Sequence, residues 1–155
     1  MRFLFNLLFT VLVFCFGFAA GVYSLPIMMA PPAPTQTALS DVANQAKFTA
    51  QFKKDLKGSD FLHFGEGDIF LGDHKIGFEG RLAPGPDYRL YLSPTFVETE
   101  AEFEQHKSTM QYVAAVSSFN GFIVEMPKSV NLNEFTTVVI WCESFGEFIT
   151  AANYR

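Results

Sequence analysis

Two residues of this 155-residue chain carry a thiol, Cys15 and Cys142. Cys15 lies in a long apolar run, whereas Cys142 ends the segment Val138-Val139-Ile140-Trp141-Cys142 far downstream. Settings so different give neither thiol an intramolecular partner, so no internal disulfide is expected. A free thiol outside the cytoplasm is open to oxidants unless it is buried. Cys142 therefore reads in one of two ways: a small apolar residue of a central strand, or a redox or ligand-holding group. Its neighbours Glu143 and Glu147 do nothing to activate it, because nearby negative charge raises a thiol pKa.

Other chemistry finds less support. The chain has no C-x-x-C pair and no C-x-x-C-H haem attachment site. His63, His74 and His106 are scattered, and no His follows Cys142 closely, as a blue-copper site usually needs. No metal ligand set is predicted, and no cofactor is assigned. Hydrolytic signatures such as G-x-S-x-G, H-E-x-x-H and a P-loop are absent. Glu66 and Asp68 flank Gly67 and read as a surface turn at a strand start. The alternating Glu98, Glu100, Glu102 and Glu104 read as a solvated acidic face rather than a calcium site. With a net charge of −5 and no cluster of Lys and Arg, the chain offers no groove for nucleic acid.

The elements that must position Cys142 follow from periodicity. Ile76 and Phe78 alternate with Lys75, Gly77 and Glu79; Tyr88, Leu90 and Leu92 alternate with Asp87, Arg89 and Tyr91; Phe122, Val124 and Met126 alternate with Ile123 and Glu125. These are half-buried strands. Turn signals separate them at Gly65 and Gly67, at Pro84-Gly85-Pro86-Asp87, at Asn120-Gly121 and at Pro127, with Asn120-Gly121 suited to a tight hairpin. Residues 136–142 are apolar on both faces, with Val138, Ile140 and Cys142 on one and Val139 and Trp141 on the other. Such a strand belongs inside a sheet. Short strands without β-α-β alternation predict an all-β fold, an antiparallel β-sandwich or barrel-like domain, over residues 59–155. Residues 98–110 are expected to form a short helix or ordered loop.

Upstream of the strands, residues 39–56 read as an amphipathic connector helix within 38–58. Ser40 or Asp41 would cap it, Phe48 and Phe52 would lie one turn apart, and Gly58 would stop it. Pro26, Pro31, Pro32 and Pro34 make 26–37 a stiff spacer that holds the domain off a bilayer. From Phe3 to Tyr23 no charged residue or His appears, and about 20 apolar residues suffice to cross a hydrocarbon core. Residues 1–25 are thus an N-terminal transmembrane anchor or a signal peptide, and the apolar run exceeds the ~7–15 residues of a signal core. Phe14 ahead of Cys15 is too large for a lipidation site. Arg2 as the only nearby cation favours a cytoplasmic N-terminus and a periplasmic or extracellular C-terminal domain.

Three segments carry a likeness: His63-Phe64-Gly65-Glu66-Gly67, the run from Ala83-Pro84-Gly85-Pro86-Asp87-Tyr88 to Leu92-Ser93, and Val138-Val139-Ile140-Trp141-Cys142-Glu143-Ser144-Phe145. In this order they resemble the DM-thirteen domain family, described as an electron-transfer domain, over about residues 48–155. The resemblance implies a β-rich exported domain. It also implies a role for Cys142, matching the family cysteine proposed as a bare redox thiol or as the holder of a prosthetic group, with Trp141 beside it. No haem- or sugar-binding domain adjoins this one in the sequence, so the resemblance points to a separate redox or surface protein as electron partner. The other reading is a non-enzymatic binding or envelope-structural module in which Cys142 is core.

Overall fold

A computed structural model describes residues 1–155. Its first element, α1 (Arg2–Met29), buries none of its residues and is long and apolar enough to cross a membrane. At 1.5 Å per residue it is about 42 Å long. The helix runs through Pro26 to Met29, so the extended spacer is shorter than expected. Pro26 has no N–H to donate to the carbonyl four residues back, but helix resumes beyond it.

The helix α2 (Gln36–Asn44) opens on Thr35, whose side chain accepts the Ala38 N–H at 3.3 Å. It buries Leu39 and Val42 against the first sheet, where a Cβ on Gly77 would lie 3.0 Å from Val42. The connector helix expected over 39–56 is corrected here in both its bounds and its cap. Helix ends at Asn44, and the second half is a strand, β1 (Phe48–Phe52). Phe48, Ala50 and Phe52 turn toward the interior while β1 pairs with β2 (Gly65–Leu71), Phe48 opposite Leu71. Extended pairing on β2 puts Phe48, Ala50 and Phe52 together on the core face, which the period of a helix would not do for Ala50.

Two four-stranded antiparallel sheets follow. The first has the order β1-β2-β3-β6, with β3 (Lys75–Leu82) and β6 (Phe122–Glu125). The second has the order β5-β4-β7-β8, with β4 (Tyr88–Ser93), β5 (Gln111–Val116), β7 (Thr137–Cys142) and β8 (Glu147–Asn153). Their inner faces share one core. Phe52, Ile69, Ile76 and Phe78 come from the first sheet; Leu90, Leu92, Val138 and Ile140 come from the second. This is the expected sandwich. As predicted, β7 is interior to its sheet and buried at every residue.

Asn120-Gly121 does not close a hairpin. β5 pairs with β4 and β6 with β3, so this turn carries the chain from one sheet to the other, with Gly121 at φ +98°. On the far face of the second sheet, α3 (Glu100–His106) covers β7: Phe103 stacks on Trp141 at 3.9 Å between centroids and 10° between planes. Within the first sheet, Gly67 and Gly80 face each other across β2 and β3, and a Cβ on Gly80 would lie 2.7 Å from the Gly67 Cα. Only glycine permits that approach, and Gly67 also takes a positive φ of 137°.

Candidate functional site

Strand alternation separates the two residues that sequence placed together. Cys142 points into the core between the sheets, whereas Trp141 points outward beneath α3. There the Lys107 ammonium sits 5.7 Å above the Trp141 ring, and the indole N–H is buried without a hydrogen-bond partner. Trp141 therefore does not share a cavity with Cys142.

The residue that does is Tyr88, the Cα partner of Cys142 across β4 and β7. Side chains directly opposite in an antiparallel pair have Cβ atoms about 4.5–5.5 Å apart. Both line a cavity of about 460 Å³ at the end of the sandwich. Its walls come from non-local pieces: Cys142, Tyr88 and Ile149 on the strands, Leu62 and His63 before β2, Pro84–Gly85–Pro86 before β4, Phe145 after β7, and Phe18, Ala19, Val22 and Tyr23 on α1. Gly85 lets the loop close on Tyr88, since a Cβ there would fall 2.5 Å from the phenol oxygen. Asp87 braces the loop to the β7–β8 turn: its carbonyl accepts the Glu143 N–H at 2.9 Å and its carboxylate accepts the Ser144 hydroxyl at 3.2 Å.

Cys142 is only 2 % exposed. Burial pushes its thiol pKa up, against backbone hydrogen bonds from Phe145 and Asp87 that favour the thiolate. Burial likewise raises the Tyr88 phenol, aided by the neighbouring Cys142 and Tyr23. The pair is thus a neutral thiol beside a neutral phenol in apolar walls. Such a site disfavours thiolate attack and suits an apolar molecule or a group held through sulfur. Tyr23, His63 and Glu147 are the other titratable residues on the wall.

The remaining candidates disperse. His74 lies beside a separate cleft below α2, His106 ends α3, and no three His, Cys, Asp or Glu side chains gather as a metal site requires. Glu66 pairs with Lys54 at 2.7 Å, and Asp68 accepts from Gln51 at 3.2 Å, both on the surface of the first sheet. The glutamates of 98–104 cap α3 and tie it to neighbouring segments. Glu102 accepts the Glu98 N–H at 2.9 Å, Glu100 accepts the Phe148 N–H at 3.3 Å, and Glu98 pairs with Lys57. Nothing in periodicity marked Tyr88 as part of the site. The cross-strand register, which no local spacing reveals, supplies it.

Compared with known proteins, residues 43–154 match the family described as Electron transfer DM13. No curated protein and no solved structure matches the chain. The matched span begins near the end of α2, takes in all eight strands and contains both Cys142 and Tyr88. The chain belongs to the Electron transfer DM13 family.

Proposed function

We propose that this protein is a membrane-anchored, extracytoplasmic electron-transfer module in which Cys142 is the redox-active or ligand-holding group. The observation that carries the reading is the cross-strand pair of Cys142 and Tyr88 at the inner end of an apolar cavity, in a chain of an electron-transfer family. α1 serves as the anchor, with its N-terminus cytoplasmic and the sandwich in the periplasm or at the cell surface. The raised thiol pKa makes Cys142 a poor nucleophile at neutral pH, so thiol–disulfide exchange is not the chemistry favoured here. A neutral thiol that gives up one electron also gives up its proton; Glu147 and His63 are the bases on the wall that would take it. The electron leaves to a separate redox or surface protein. A prosthetic group held by Cys142 would supply the redox chemistry itself, and these residues would then hold it and exclude water.

A second reading has its own support: Cys142 belongs to the 21-residue core, where a small apolar residue needs no further role. The test is thiol titration of the full chain carrying Cys15→Ser, native and unfolded, with an absorbance spectrum and metal analysis. Loss of the native Cys142 thiol on treatment with a small apolar one-electron oxidant, or a bound chromophore or metal, is the expected result. A thiol that reacts only after unfolding, in a colourless and metal-free protein, would leave Cys142 as core of a binding or structural module.

A further inference from the structure

The most exposed aromatic side chains outside α1 are Phe61, at 84 %, and Phe145, at 58 %, with Leu62 beside the first. Leu62 and Phe145 line the Cys142 cavity, and Phe61 directly precedes Leu62 in the chain. They are held out by built turns rather than left on loose loops. The Asp60 carboxylate accepts the N–H groups of Leu62 and His63, each at 2.7 Å, and the Asp60 N–H donates to the His63 carbonyl at 2.9 Å. In the second turn the Gly146 N–H donates to the Cys142 carbonyl at 2.9 Å, and Gly146 takes a φ of 67°. A soluble surface gains nothing from fixing large apolar side chains in water.

What covers them follows from depth along α1. A hydrocarbon core of about 30 Å takes up some 20 helical residues, so a span that starts at Phe3 ends near Val22. The α1 residues on the cavity wall are Phe18, Ala19, Val22 and Tyr23, at that outer boundary. Beyond it, Pro26 and Met29 run alongside Gly85, Pro86 and Val116 of the domain. The turns that meet α1 at the cavity therefore lie level with the outer leaflet.

We propose that Phe61, Leu62 and Phe145 form a lipid-contacting rim that seats the domain on the outer leaflet beside α1, so that the Cys142 cavity opens into the bilayer. The inference rests on the anchoring of α1 proposed above. The contact is apolar insertion, because the cavity wall carries no Lys or Arg that could bind anionic headgroups. A molecule reaching Cys142 by this route is lipid-soluble.

The test uses the full chain in nanodiscs of phosphatidylcholine, with increasing fractions of acyl-brominated phosphatidylcholine as quencher. Phe61→Trp and Phe145→Trp report the rim; Phe96→Trp, beyond the opposite end of β4, is the control. Trp141 sets the background in each. Tips inserted about 5–10 Å into the boundary should lose roughly half of their emission, while Phe96→Trp loses no more than the wild-type protein. Because Phe61 is 84 % exposed, its variant keeps the test valid if Phe145→Trp misfolds. Rim positions no more quenched than Phe96→Trp overturn the seating. Blue-shifted but unquenched emission also overturns it, and indicates that a protein or a second copy covers the rim. The intact mass of the protein isolated from membranes is measured first: a chain shortened past α1 overturns the anchor and the seating together, whereas a full-length chain with an unquenched rim overturns the seating alone.

Discussion

Replacing Phe103 by Ala removes the side chain that fastens α3 to the outer face of β7. Phe103 is fully buried, stacked on Trp141 at 3.9 Å and packed edge-on against Tyr91 at 5.4 Å, with the Lys107 ammonium 5.6 Å from its ring. Burial of a Phe side chain contributes about 1.5–3 kcal/mol, and each aromatic pair adds about 0.5–1.5 kcal/mol. Measured Phe→Ala changes in cores cost about 3–5 kcal/mol. The seven-residue α3 is peripheral and can settle into the space, which puts Phe103→Ala at the lower end, about 3 kcal/mol. Domains of this size are stable by about 5–15 kcal/mol, so the variant folds but unfolds early. Urea titration of the full chain in detergent, followed through Trp141, reads the change directly, because Trp141 is the one tryptophan. With a slope of about 2 kcal/mol/M the midpoint should fall by about 1.5 M, and native emission should shift to the red as water reaches the exposed indole face. Phe103→Leu keeps most of the volume and should lose less than half as much. A loss below about 1 kcal/mol with unshifted emission would refute the argument that α3 shields Trp141.

Other outcomes follow from the same geometry. Cys142→Ala should cost roughly 1 kcal/mol for the lost apolar group, and Cys142→Ser about 1–3 kcal/mol because it buries an unpaired hydroxyl; equal stability in urea would contradict the burial described for this thiol. Gly80→Ala forces a Cβ onto the Gly67 backbone and should destabilise by at least about 1–3 kcal/mol, so a wild-type thermal midpoint would disprove the close approach of β2 and β3. Tyr91 and Tyr154 are pushed up to about 12, Tyr91 by burial and by the Glu143 carboxylate that accepts its hydroxyl, Tyr154 by burial. The unfolded chain ionises first, near pH 10, so stability held at neutral pH should fall as pH rises from about 10 to about 12. A urea midpoint that stays flat over that range would count against it.

The strands that sequence discloses are those whose large apolar side chains either alternate with polar ones or run unbroken. β3, β4, β6 and β7 lie where alternation placed them, and the two faces of β7 divide as Val138, Ile140, Cys142 against Val139, Trp141. β1 resembles helix in the sequence because a spacing of four, Phe48 to Phe52, puts residues on one side of a helix and of a strand alike. Its ladder with β2 decides between them, and that partner is distant in sequence. β8 gives no signal in the sequence because Phe148-Ile149-Thr150-Ala151-Ala152 is buried on both faces and much of it is small, leaving no period to detect. The site divides in the same way. Cys142 is legible as a lone thiol, but its cavity is assembled from four separated segments, and Tyr88 joins it through strand register.

The tether between helix and sandwich is only residues 30–35, from the end of α1 to the start of α2. Fully extended it reaches roughly 20 Å, and its three prolines keep it from coiling. With α1 in a bilayer, the domain explores a plane instead of a volume. Its encounters are then set by lateral diffusion and by copies per unit area of membrane, and they stay the same when the surrounding compartment is diluted.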